Sequence, residues 1–187
     1  MAVGPEGAQA RHVRVWDPLV RLFHWSLALS FAVAWFSAKT WSDLHVWAGY
    51  AAGSLIGVRL LWGVFGTRYA RFSQFVRSPL SVLAYLKAIA QGGEARHIGH
   101  NPAGGAMVVA LLVAIGATAV SGWALTTDAF WGDLAMQRLH DGIAHLLLLM
   151  VCAHLAGVAL ASFRHGENLV GAMLSGDKRA PSADDVA

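Results

Sequence analysis

Four histidines lie in, or at the ends of, strongly apolar stretches of the chain: His24, His45, His140 and His154. Imidazole can ligate a metal, carry a proton near neutral pH or hydrogen-bond a neighbouring helix. An ionisable side chain inside an apolar stretch is costly, which makes it a functional candidate by default. A single such histidine is explained equally well by a hydrogen bond to another helix, so the arrangement of the four decides between these chemistries.

The stretches that carry these histidines are long enough to be membrane spans. Of the 187 residues, 56% are hydrophobic and only 13% are charged, against about 25% charged in soluble domains. Residues 22–38, 44–65, 103–127 and 142–163 contain a single charged side chain, Arg59. A membrane-spanning helix needs about 20 mainly apolar residues. The sequence therefore predicts an all-α integral membrane protein, a bundle of four transmembrane helices over about 22–38, 44–65, 103–127 and 140–163 of a membrane domain 22–165.

The connecting segments predict the orientation of this bundle. Of the 14 Lys and Arg residues, only Lys39 and Arg138 fall on the side opposite the termini, where they accompany four aspartates. The positive-inside rule then places segment 1–21, loop 66–102 and tail 166–187 in the cytoplasm of a bacterial inner-membrane protein. Residues 81–91 are predicted as an interfacial helix, and the tail after Gly176 as disordered.

Depth in the predicted bilayer sorts the four histidines into two pairs. His24 and His154 lie in the cytoplasmic halves of the first and fourth helices, whereas His45 and His140 lie at the outer starts of the second and fourth. His154 follows His140 by 14 residues, which is about 40° short of four turns and roughly 21 Å along the axis. Both therefore share one helix face, while His145 is turned about 140° away from His140.

Two opposed histidines at each of two depths are typical of haem held from both faces of the ring, a coordination suited to electron transfer. Cys152 is the only cysteine, so covalent attachment through CxxCH is excluded and the haems are predicted to be two non-covalent haems b. Zinc fits poorly because the histidines have no Cys or carboxylate companions. A proton relay through the histidines is an alternative that explains the sorting by depth less well.

Other residues are candidates for holding these haems. Arg21, one turn before His24, and Arg59 could bind inner propionates, although Arg59 could equally extend to the lipid headgroups. Gly49 and Gly53 share a face of the second helix with Gly57, which either makes room for a flat cofactor or permits close helix packing. The candidates for the outer haem are Lys39, Ser42 and Arg138.

The segments RLFHWSLALSF, LHVWAGYAAGSLIGVRLLWGVFG, GHNPAGGAMVVALL and LHDGIAHLLLLMVCAHLAGVAL resemble the bacterial cytochrome b561 and nickel–iron hydrogenase b-type cytochrome superfamily. The resemblance covers about residues 14–174. It implies four core helices, two haems b and electron transfer with quinone in the membrane. The axial ligands it implies are His24, His45, His140 and His154, the same four that depth selects.

The function expected on these grounds is electron transfer across the membrane, between the quinone pool and a periplasmic or membrane-associated redox protein such as a hydrogenase or a c-type cytochrome.

His100, before the third helix, is a candidate for quinone binding or proton supply, the alternative being a hydrogen bond at the helix entry. Membrane lipid and a homodimer partner are expected, and nucleic acid is not. The alternatives are a stand-alone quinone-linked oxidoreductase acting on a small outer-face substrate near the acidic 128–141 region, and a haem-free scaffold or transporter.

Overall fold

A computed structural model describes residues 12–183 and 185–186 of the chain. It contains two short strands and seven α-helices within these residues. In chain order they are β1 His12–Arg14, α1 Pro18–Ser37, α2 Ser42–Phe65, α3 Phe72–Phe75, α4 Pro79–Gln91, α5 Pro102–Leu125, α6 Leu134–His165, α7 Leu169–Ser175 and β2 Asp177–Arg179. The helices α1, α2, α5 and α6 are long and apolar enough to cross a membrane.

Polar caps set the starts of three of the four long helices, α1, α5 and α6, before their apolar runs begin. Asp17 and Asn101 accept hydrogen bonds from backbone amides of the first turn of α1 and α5, and each is followed by proline. Asp133 accepts from the Met136 amide, so that α6 starts at Leu134, six residues before the predicted start at 140. Side chains of this kind satisfy amides that have no partner within the helix. The predicted interfacial helix is present as α4 and is capped by Ser78.

The four long helices pack in chain order. α1 packs antiparallel against α2, α2 against α5, and α5 against α6. Their apolar core lies midway along the bundle and consists of Leu27, Ala52, Ile56, Leu112, Ala114, Ile115 and Leu147. In the described part of the chain α1 and α6 form no extensive backbone interface, although Trp35 of α1 and His145 of α6 bring their rings to 5.4 Å. Side chains therefore bridge a wider gap between α1 and α6.

The first and last described segments of the chain lie at one end of the bundle. There β1 pairs antiparallel with β2, His12 opposite Arg179. We call this end, formed by residues 12–21, 66–101, 164–183 and 185–186, the terminal end. The opposite end, formed by residues 38–41 and 126–133, is the hairpin end.

The tail after Gly176, which the sequence predicts to be disordered, has partners over its described residues 177–183 and 185–186. Arg96 pairs with Glu167 at 2.7 Å and with Asp185 at 2.5 Å, and Lys178 pairs with Glu167 at 3.3 Å. Arg96, Glu167 and Lys178 are all buried, and the amide of Val186 donates to the Arg96 carbonyl. The composition of the tail is typical of a solvated segment, but its charges find partners on loop 66–102.

Acid is expected to release this tail. Burial raises the pKa of Glu167, but the hydrogen bond from Arg96 and the charge of Lys178 outweigh it and leave that pKa below its ordinary value. Such a carboxylate stabilises the fold at pH values above about 4.3, its unfolded pKa, and loses that contribution as the pH falls through its lower folded pKa. The hydrogen-exchange protection of residues 177–183, measured relative to the intrinsic exchange rate at each pH, should therefore fall at acid pH.

Glu167→Gln should produce the same release at neutral pH, with a loss of about 2–3 kcal/mol of local stability, because it leaves Arg96 and Lys178 short of a negative partner. Glu94→Gln, which breaks the more exposed pair with Arg164, is the matched control and should leave the tail protected. Equal protection of the tail in both variants would contradict the assignment.

Candidate haem-binding sites

His45 and His140 face each other at the hairpin end. His45 lies in the first turn of α2 and His140 in the second turn of α6. Their ring centroids are 6.0 Å apart and their planes are at 88°. Two imidazoles that hold one metal atom between them, each at about 2 Å, have centroids separated by about 6 Å. The observed separation fits shared coordination of one iron.

Hydrogen bonds orient both of these rings. Nδ1 of His45 lies 2.8 Å from the Ala34 carbonyl, which can only accept, so Nδ1 carries the proton. Nδ1 of His140 lies 3.0 Å from Oγ of Ser121, and that hydroxyl donates its own proton to the Thr118 carbonyl. The Ser121 oxygen therefore accepts from His140. In both rings the lone pair is left on Nε2, the arrangement that metal-ligating histidines commonly have.

His24 and His154 approach each other from α1 and α6 at greater depth towards the terminal end. The two imidazoles are close enough to interact electrostatically. Nδ1 of His24 is buried and has no hydrogen-bond partner among the described residues, and the ring packs edge-on against Trp25 at 5.2 Å. Because α1 and α6 form no extensive backbone interface in the described part of the chain, a ring held by these two histidines would lie between helices that are not closely packed.

Unpartnered polar atoms cluster at the terminal end. Within the described residues, the buried side-chain nitrogens that lack a partner are Arg21 Nε, His24 Nδ1, Arg59 Nη1 and His100 Nδ1. Buried polar groups are costly unless they are hydrogen-bonded. A ligand with oxygen acceptors at this end would satisfy the nitrogens of Arg21, Arg59 and His100, and haem propionates are such acceptors.

The two predicted propionate-binding arginines are held in place by backbone carbonyls. Nη1 of Arg21 donates to Leu174 at 2.8 Å, and Nη2 of Arg59 donates to Ala70 at 3.0 Å. Only 4% of Arg59 is exposed, and its guanidinium lies over the Phe72 ring at 4.9 Å. Its burial among loop residues excludes the alternative that it extends into lipid headgroups.

The glycines of α2 differ from one another. A Cβ at Gly53 would lie 3.3 Å from Ala119, so this glycine permits close packing of α2 on α5, whereas Gly49 and Gly57 have open space around them. Only Gly49 and Gly57 therefore leave room for a cofactor on that face.

His145 lies apart from both histidine pairs. It is exposed, its Nδ1 is bonded to the Asp141 carbonyl at 2.7 Å, and it packs on Trp35. The predicted outer-haem residues Lys39, Ser42 and Arg138 form no ion pair or side-chain hydrogen bond within the described residues.

The residues that orient His140 are absent from the sequence prediction. Ser121 is buried in α5, and a Cβ on the adjacent Gly122 would lie 3.0 Å from Cε1 of His140. The sequence does contain a signal for this contact, a serine followed by a glycine inside an otherwise apolar span. A polar side chain in such a span needs a hydrogen-bond partner, and the glycine allows another helix to approach.

Ser121→Ala should weaken haem binding at the His45–His140 pair, because the His140 ring loses the acceptor for its Nδ1 proton. A loss of about 10–100-fold in affinity is typical when such a partner is removed. Haem titration of the apoprotein measures it. Ser30→Ala is the control, since Ser30 bonds only within its own helix; equal affinities for the two variants would contradict the role of Ser121.

A family model described as prokaryotic cytochrome b561 matches residues 15–176. The matched region includes the four long helices and all four paired histidines. Comparison with curated proteins and with solved structures returned no match. Since the family model covers most of the chain, and the family consists of b-type haem cytochromes of membrane electron transfer, the chain belongs to the prokaryotic cytochrome b561 family.

Proposed function

We propose that the protein is a di-haem b-type cytochrome of the bacterial inner membrane that carries electrons between a redox partner protein and the quinone pool. The observation that carries the proposal is the facing pair His45 and His140, 6.0 Å apart, with both Nδ1 atoms hydrogen-bonded to other helices. This arrangement leaves the Nε2 lone pairs of both rings available to one shared ligand.

The second haem belongs to His24 and His154 in this proposal. Its support is the spacing of α1 and α6, the unpartnered Nδ1 of His24 and the unpartnered nitrogens of Arg21 and Arg59. Arg21 and Arg59 are assigned to its propionates. Since His140 and His154 belong to the same helix, α6 sets the separation between the two redox centres.

Haem supplies the one-electron redox chemistry when it is bound. The chain supplies the axial ligands, fixes the tautomers of two of them and limits the access of water. Ala34 and Ser121 keep the protons of His45 and His140 on Nδ1, and the apolar core between the two histidine pairs excludes water from the middle of the bundle.

The terminal end is assigned to the cytoplasm because nearly all basic residues of the connecting segments lie there. The hairpin end then faces the periplasm, where a hydrogenase or a c-type cytochrome would exchange electrons with the His45–His140 haem. Quinone would react near the His24–His154 haem.

The test is haem quantification and a reduced-minus-oxidised spectrum of the purified full-length protein. Two haems per chain with six-coordinate, low-spin spectra are expected. A colourless protein would favour a scaffold or transporter. A high-spin haem open at one axial position would favour an oxidoreductase that acts on a small substrate.

A further inference from the structure

His100 is enclosed by aromatic rings at the terminal end. Its ring centroid lies 4.7 Å from that of Trp16 and 4.7 Å from that of Phe75, and its Nδ1 is buried without a partner in the described part of the chain. The hydrogen bond at the entry of α5 is made instead by Asn101, which accepts from the Gly104 amide at 2.7 Å. His100 therefore has an unused polar atom facing the protein interior.

Arg59, like His100, packs near Phe75 and has a buried nitrogen without a hydrogen-bond partner in the described part of the chain. Its guanidinium is 5.9 Å from the centroid of Phe75, the ring that His100 also contacts. Nη1 of Arg59 is buried without a partner, and no carboxylate pairs with Arg59 among the described residues. Asp17 contributes a more distant negative charge but makes no ion pair with Arg59. Nη1 therefore still lacks the directly bonded anion that a buried guanidinium favours.

We propose that Arg59 and His100 together form a carboxylate clamp that binds a propionate of the haem at His24 and His154. Nη1 of Arg59 and the Nδ1 proton of His100 both donate to the carboxylate oxygens. The inference rests on the proposed binding of haem at this pair, and it assigns His100 to cofactor binding, in place of the quinone site for which the sequence makes it a candidate.

The charges of the clamp favour a carboxylate over a quinone. Burial lowers the pKa of His100 to about 3, with a smaller contribution from the charge of Arg59, so the ring is neutral at physiological pH and has one N–H to donate. The clamp then carries one net positive charge, which one propionate neutralises. A quinone carbonyl is neutral and would leave Arg59 without a directly bonded anion.

Propionate vibrations test the hydrogen bond directly. His100→Phe keeps an aromatic ring between Trp16 and Phe75 but removes the donor, whereas His100→Gln keeps a donor. In the resonance Raman spectrum of the haem-loaded protein, the propionate bending band of one haem should shift in His100→Phe and move back towards the wild-type position in His100→Gln. His97→Phe is the control, because His97 packs on Tyr85 and its Nδ1 is bonded to the Ala95 carbonyl.

A chemical variant of the cofactor gives an independent measurement. The apoprotein is titrated with haem and with its dimethyl ester, in which both carboxylates are neutral. Wild type should prefer haem at one site by a factor on the order of ten or more, the value of a charge-assisted hydrogen bond. That preference should shrink in His100→Phe and in Arg59→Leu and persist in His97→Phe.

The outcomes separate this inference from the proposed function. Absence of haem at the His24–His154 pair would contradict the proposed function itself. If that haem binds but His100→Phe leaves both the propionate band and the ester preference unchanged, the clamp is wrong and the proposed function stands. A His100→Phe variant that changes only the KM for quinol would return His100 to a quinone site and would also overturn the clamp.

Discussion

Replacing His154 with Ala is expected to lower the haem content from two per chain to one. His154 lies with His24 towards the terminal end, whereas His45 and His140 are held at the hairpin end by their own hydrogen bonds to Ala34 and Ser121. The two pairs share no residue, so loss of one haem should leave the other in place. Pyridine haemochrome quantification against protein concentration measures the change, and the remaining haem should keep its low-spin spectrum.

His145→Ala is the matched control for this result. His145 belongs to the same helix as His154, but it is exposed and bonded to the Asp141 carbonyl of its own helix. Both haems should remain in this variant. Loss of a haem in His145→Ala together with retention in His154→Ala would show that the assignment of ligands on α6 is wrong.

Gly122→Val should remove the haem held by His45 and His140. A Cβ at this position would lie 3.0 Å from Cε1 of His140, so the two additional methyl groups of valine would displace the ring from both Ser121 and His45. We expect at least about a tenfold loss of affinity at the His45–His140 site, in the range found when the groups that orient a ligand are altered. Titration of the apoprotein with haem, followed by absorbance, resolves the two sites.

Gly116→Val tests whether valine in α5 is harmful in itself. No atom lies within 4 Å of a Cβ built at Gly116, so both haems should bind as in wild type. Gly122→Val with two full-affinity haems would contradict the proposed role of His140. Selective loss of the His24–His154 haem would contradict the assignment of the two sites to opposite ends.

The sequence predicts the bundle well because length and hydropathy are local properties. All four predicted spans are helices in the structure, and their ends differ mainly where polar caps such as Asp17, Asn101 and Asp133 extend them. A criterion based on apolar residues stops at the first polar side chain, but a helix continues to the residue that satisfies its free amides. Composition alone likewise does not reveal that Arg96 forms ion pairs with Glu167 and Asp185.

The candidate sites also have some features that the sequence determines and others that depend on the packing of the helices. The relative direction of His140, His145 and His154 follows from the 3.6-residue period of a single helix, and the sequence alone determines it. The Ala34 carbonyl, the Ser121 hydroxyl and the open space at Gly49 depend on how different helices meet, and no sequence period encodes them. Only the tertiary structure decided which nitrogen of His45 and His140 is free. It also decided that Arg59 and His100 both pack near Phe75 and have unpartnered buried nitrogens. Helical periodicity is a property of one element, whereas a hydrogen bond between elements depends on packing distances that only the folded bundle sets.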